Sequence, residues 1–156
     1  IDALEAQGYI IREPNAARGI SLTEQAALND QTFPLVGRIA AGHPLEAFED
    51  IERVDLNQHF AGKRERYLLQ VKGDSMQDAG ILDGDWVLIE KSESAKDGDI
   101  VVALVDGAET TLKRLFRNPN STVTLVPENQ SMQPFVYSSD RVALQGILVA
   151  QMRTYH

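Results

Sequence analysis

The sequence predicts a mostly β protein, a compact antiparallel domain preceded by a small N-terminal unit. From residue 67 onward, branched and aromatic residues gather in short runs at 67–72, 86–90, 99–105, 110–116, 122–126 and 142–152. That composition fits a pleated, half-buried surface. Between the runs stand Asp83-Gly84-Asp85, Lys96-Asp97-Gly98-Asp99 and Asp106-Gly107, residues that supply the positive φ and local hydrogen bonds of tight turns. No apolar periodicity in this part sustains a helix of about ten residues or more.

Ahead of that domain, residues 1–22 form one small unit. Ile1 to Ala6 reads as the last turns of a helix stopped by Gly8. Residues 9–12 read as a short strand, 14–19 as a turn and 19–22 as a return strand. A helix end and a hairpin are too little for a core of their own, so the unit is either a plain N-terminal decoration or the wing of a winged helix-turn-helix domain. Residues 23–34 are polar around Asn29-Asp30-Gln31 and end at Pro34, which reads as a linker. The domain proper is expected over 35–156. Its acid-rich run Glu46, Glu49, Asp50, Glu52 and Asp55 reads as a solvated edge.

Composition excludes several functions. The chain has 156 residues and no cysteine, which removes disulfides, thiolate metal ligands and cysteine nucleophiles together and fits a cytoplasmic protein. The three histidines, His43, His59 and His156, form no local ligand pattern, so neither a metal nor a cofactor is expected. No apolar run reaches the roughly 20 residues that cross a bilayer. The start, Ile1-Asp2-Ala3-Leu4, has no basic segment and no initiator methionine, and reads as the middle of something longer rather than as a signal peptide. A net charge of −8 makes the body a poor nonspecific binder of nucleic acid.

Two residues stand out against that background. Ser75 follows Gly73-Asp74 at the end of a strand-like run, and Met76 to Gly80 reads as a single helical turn. Taken alone, Ser75 is a helix N-cap, its oxygen accepting an orphan N–H. The same position can gather N–H groups, that of Met76 among them, that stabilise an oxyanion. A serine hydroxyl needs a base to become a nucleophile, and no histidine is well placed: His43 sits beside Pro44, His59 in a polar stretch, His156 at the end. Lys113 is the alternative. Alternation puts it on the same face as Thr111 and Leu115, where burial lowers a lysine pKa toward the neutral, basic form. Alone, Lys113 also reads as a snorkelling edge residue; paired with Ser75 it reads as a general base. The bond Ala41-Gly42, within Val36 to Pro44, suits a substrate: small residues enter a narrow cleft, and Pro44 favours extended backbone at His43, which pairs with a strand beside an active site.

Together with Gly8-Tyr9-Ile10, Arg18-Gly19-Ile20, Pro34 to Gly42, Gly73-Asp74-Ser75-Met76, Gly80 to Asp85, Val101-Val102-Ala103, Lys113-Arg114-Leu115 and Leu125 to Asn129, these residues resemble the LexA repressor family over essentially the whole chain. The resemblance implies a signal-peptidase-like β domain in which Ser75 is the nucleophile, Lys113 the general base and Ala41-Gly42 the bond cut within the same chain. It implies a homodimer that binds operator DNA through a full winged helix-turn-helix domain, most of it lying ahead of residue 1. It also implies a co-protease, the RecA filament on single-stranded DNA with nucleotide, and loss of repression of DNA-damage-response genes on cleavage. His43 stands where some relatives carry an acidic residue. A polymerase accessory protein of the UmuD type lacks the wing-like segment, a phage repressor with the same switch usually has a DNA-binding segment of a different kind without this wing, and a signal peptidase carries a membrane anchor or apolar membrane-facing insertion that is not visible here. A non-catalytic dimerisation module is the alternative of a different class.

Overall fold

The computed structural model describes residues 10–12, 20–22, 32–35 and 52–156, and the chain divides into two units, Ile1–Ala61 and Gly62–His156. In the first unit, β1 (Ile10–Arg12) pairs antiparallel with β2 (Ile20–Leu22), Ile11 opposite Ser21. This is the hairpin expected there; the helix end over Ile1 to Ala6 and the 14–19 turn fall outside the described residues. A second two-stranded pair joins β3 (Thr32–Leu35) to β4 (Glu52–Asp55). β3 therefore starts inside the segment expected as linker. Thr32 and Phe33 favour extended backbone, Pro34 is tolerated in so short a pair, and Arg53 Nε donates to Thr32 Oγ1 at 2.9 Å. Asp55 then N-caps one helical turn, α1 (Leu56–His59), accepting from Asn57 N at 2.8 Å and Gln58 N at 3.3 Å. His59, in the stretch read above only as polar, closes that turn.

The second unit carries a seven-stranded sheet. Its strands are β5 (Arg66–Gln70), β6 (Trp86–Lys91), β7 (Ile100–Val105), β8 (Glu109–Arg117), β9 (Thr122–Val126), β10 (Phe135–Ser138) and β11 (Val142–Met152). They lie in the order β10-β9-β8-β7-β11-β6-β5, every pair antiparallel. Five of the expected runs become strands within a residue or so. The sixth, 67–72, is shorter at its end, because Val71 leaves the ladder: its N–H donates to Asp85 O and its carbonyl accepts from Gly84 N, both at 2.8 Å. β10 was not anticipated, being a four-residue strand between Pro134 and a serine pair, too short to declare itself by alternation.

β11 serves two neighbours. Its register slips between Leu144 and Gly146 against β7, and between Leu148 and Ala150 against β6. Such bulges bend a strand and increase its twist. Gly146 is required at the bend: a Cβ there would meet the Ile89 side chain and lie 2.6 Å from Glu90 O. The core forms two clusters. One joins Val101, Ala103, Val105, Leu115, Val123 and Leu125. The other joins Val87, Ile89 and Val102 to Met76 and Ile81, so the turn that follows Ser75 is anchored by its own apolar side chains. Met76 alone, 1% exposed, contributes about 1.5–3 kcal/mol of burial.

Candidate active site

Ser75 lies beyond the end of β5, at one edge of the sheet, whereas Lys113 lies on β8, four places away in strand order. The loop from β5 folds back to bring them together: Lys113 Nζ donates to Ser75 Oγ at 3.0 Å. β8 supplies the lysine as alternation predicts. Lys113 and Leu115 are both buried and Thr111 is half-buried on the same side. Nζ also donates to Thr111 Oγ1 at 2.7 Å and to Leu112 O at 3.0 Å.

Three acceptors match the three N–H bonds of an ammonium. They equally suit the neutral amine, which keeps two donors and offers its lone pair to the Ser75 O–H. Lys113 is 8% exposed and among the described residues pairs with no carboxylate. Burial pushes its pKa below the ordinary lysine value, because the charged form loses hydration. A buried lysine with hydroxyl and carbonyl neighbours is suited to give up its proton, whereas an ion-paired one is not.

The nucleophile turn differs from the simplest sequence reading. The short 3₁₀ turn Gln77–Ala79 starts after Met76 and is not capped by a side chain. Ser75 Oγ is thus free of the N-cap bond and meets Lys113 instead. The turn closes at Gly80, whose φ of 78° is costly for any residue with a Cβ. The backbone N–H groups of Ser75 and Met76 donate to no acceptor among the described residues, which leaves both available to a ligand.

Space opens on either side of Ser75. A cavity of about 280 Å³ is lined by Val71, Val87, Val102 and Leu112, and one of about 540 Å³ by Lys113, Leu125, Phe135 and Tyr137; Ser75 and Thr111 line both. Another cavity, about 570 Å³, is lined by Glu93, Arg117 and Gln145, away from both groups and without a nucleophile–base pair. Ala41, Gly42 and His43 fall outside the described residues, and His156 is exposed at the chain end. Among the described residues no three potential metal-ligating side chains converge, and no helix is long and apolar enough to cross a membrane.

The Peptidase S24-like family model matches residues 34–149. The LexA repressor of Koribacter versatilis (strain Ellin345) is 43% identical over 166 residues, covering 99% of this chain and 78% of that protein. The chain belongs to the LexA repressor family. The LexA repressor of Alcanivorax borkumensis is likewise 43% identical, over 97% of this chain and 74% of its own length. That of Acidiphilium cryptum reaches 49% over 80% of this chain and 54% of its own. Family membership makes the protein a DNA-damage-response repressor that undergoes self-cleavage as a serine protease, on the mostly β antiparallel fold described above.

Sequence reasoning placed Thr111 on the right face without assigning it a task. Its hydroxyl is the shortest contact of Nζ. Thr111→Val keeps the branched shape and removes one acceptor, and is expected to slow self-cleavage about 10- to 100-fold, the worth of a hydrogen bond to an ionisable group. First-order rates of parent and variant at one pH measure it.

Proposed function

We propose that this chain is the self-cleaving part of a LexA-type repressor, in which Ser75 and Lys113 hydrolyse the Ala41-Gly42 bond of the same molecule. The observation that carries the reading is the 3.0 Å contact between Ser75 Oγ and a buried lysine amine that pairs with no carboxylate among the described residues. Neutral Lys113 takes the Ser75 proton as Oγ adds to the Ala41 carbonyl carbon. The N–H groups of Ser75 and Met76 are available to receive the oxyanion. The lysine ammonium then protonates the Gly42 nitrogen as the peptide bond breaks, leaving Ala41 as an ester on Ser75. Water attacks that ester with Lys113 again as base, and the serine is restored. Alanine at residues 40 and 41 suits the smaller, largely apolar space beside Ser75.

The domain reading goes with this mechanism: a wing remnant at 1–22, a linker at 23–34 and a protease and dimerisation domain at 35–156 that includes the cleavage loop. Hydrolysis separates residues 1–41 from 42–156. A dimer holds operator DNA tightly because its second half-site contact is effectively intramolecular, so cutting the connection weakens repression while both folds survive. The dimer contact we place on the outer face of β5, β6 and β11. Leu68, Trp86 and Met152 are exposed there on one side of neighbouring strands, and a second copy would cover them. Trp86→Glu is expected to shift sedimentation from dimer to monomer; an unchanged dimer would move the contact elsewhere.

A substrate tethered to its own enzyme has a high effective concentration, so restraint comes from geometry, with the loop held away from Ser75 until a partner favours the docked state. The RecA filament on single-stranded DNA is that partner, which places the protein in the cytoplasm with its operator. The test is incubation at neutral pH with RecA, nucleotide and single-stranded DNA, omitting each in turn. Cleavage after Ala41 only in the complete mixture is the expected result. Equal cleavage without the filament would remove it from the scheme.

A further inference from the structure

The segment after β9, Glu128 to Ser131, is tied to both halves of the site. Asn129 is 4% exposed, and each polar atom of its side chain is used. Its Nδ2 donates to Asp74 O at 3.0 Å, and its Oδ1 accepts from Ser131 N at 2.9 Å and Ser131 Oγ at 2.7 Å. On the far side of the same turn, Asp78 N donates to Glu128 O at 2.8 Å and Gln130 N donates to Asp78 Oδ2 at 2.9 Å. The Glu128 carboxylate in turn pairs with Arg114, the residue next to Lys113 on β8, and Arg114 Nη1 donates to Gly98 O at 2.6 Å. The strand that carries the lysine and the turn that carries the serine are therefore bridged by one short segment.

Ser75 needs such an external hold. Its hydroxyl must be free to lose a proton, so the side chain cannot anchor its own backbone. Among the described residues the Asp74 carbonyl, one residue before it, otherwise meets only Gln77 N of the same turn, at 3.2 Å. A buried carboxamide offers the donor that this carbonyl needs and an acceptor by which Ser131 sets its orientation; a carboxylate of the same shape offers acceptors only.

We infer that Asn129 is a positioning residue for self-cleavage, holding the Asp74 carbonyl so that Ser75 Oγ stays within bonding distance of Lys113. The inference rests on the reading of Ser75 as nucleophile and Lys113 as base. A displacement of about 1 Å at a reacting group costs on the order of 100-fold in rate, while the contacts of Nζ with Thr111 and Leu112 do not pass through Asn129.

The experiment follows Ser75 by two routes in the parent, Asn129→Asp, Asn129→Ala and Ser75→Ala. One is the self-cleavage rate against pH without a co-protease. The other is labelling of Ser75 by a fluorophosphonate, read by intact mass. Thermal midpoints fix an assay temperature at which each variant is folded. Both Asn129 variants are expected to lower the high-pH plateau rate and the labelling rate by 10-fold or more, with the midpoint of the pH profile close to the parent's. Plateau and labelling rates equal to the parent's, with only the thermal midpoint lowered, would overturn the proposal. So would a shifted pH midpoint at an unchanged plateau, or loss of the fold in both variants, which would make Asn129 a structural residue. A parent that labels no faster than Ser75→Ala would remove the nucleophile assignment itself and the inference with it.

Discussion

Lys113→Ala is expected to stop self-cleavage, with a loss of at least about 10⁴-fold, and to leave the β fold standing. Replacing either member of a nucleophile–base pair removes most of its catalysis, so Ser75→Ala should be about as inactive and the double variant hardly worse. The pair works as one unit, Nζ lying 3.0 Å from Oγ, and among the described residues no other side chain bonds to Ser75 Oγ. Lys113 is not what holds the sheet together. It is a buried group without a counter-charge among the described residues, and such groups cost stability unless their hydrogen bonds fully compensate. Lys113→Met, which keeps the volume and drops the amine, separates the two roles: activity is lost and the thermal midpoint holds. Rates by gel densitometry and midpoints by circular dichroism decide it. A cleaving Lys113→Met protein would end the assignment of the base.

The second large effect is that of pH. Only the neutral amine can accept the Ser75 proton, and burial lowers the Lys113 pKa in the folded protein. Below that pKa the neutral fraction, and with it the rate, should rise tenfold per pH unit, so about 10³-fold across three units. The rate should level off before the usual lysine value of about 10.5. Glu109 and Tyr137 line the same cavity without bonding to Nζ. Stability carries the matching sign. Between the lowered folded pKa and the unfolded value the unfolded chain binds more protons, so this lysine's contribution to stability rises with pH across that window. The cost of burying it is fully present below the folded pKa. Rates and denaturant midpoints measured over one pH series, in parent and Lys113→Met, read both; a rate independent of pH would contradict a lysine base.

What the sequence made legible follows from the range of the interactions. The Gly/Asp turns and the strands they bound are local: Asp106-Gly107 turns the β7–β8 hairpin, and Lys96 to Asp99 forms the turn that leads into β7. The inward face of Lys113 is also local, a matter of counting by two from Thr111. The meeting of Ser75 with Lys113 is not local: the residues are far apart in strand order, and before the fold they were joined by the base that a serine nucleophile needs and by resemblance to a family, not by any spacing rule. The N-cap reading of Ser75 went astray because local hydrogen bonding was all that could be seen, and a lysine from another strand competes for the same oxygen. β10 escaped because four residues leave no alternation to count. Asn129 stood in a recognised stretch, yet its partner Asp74 lies beyond any spacing rule, and a buried carboxamide aimed at a backbone carbonyl leaves no pattern in sequence.

The central claim is that Ser75 and Lys113 hydrolyse a bond of their own chain. The most direct measurement is the intact mass of the purified protein after incubation at alkaline pH without any partner, beside Ser75→Ala. The account predicts two products from the parent, residues 1–41 and 42–156, whose masses together exceed the parent's by one water, and a single uncut mass from the variant. A parent that stays whole, or a Ser75→Ala chain cut at the same bond, would contradict it.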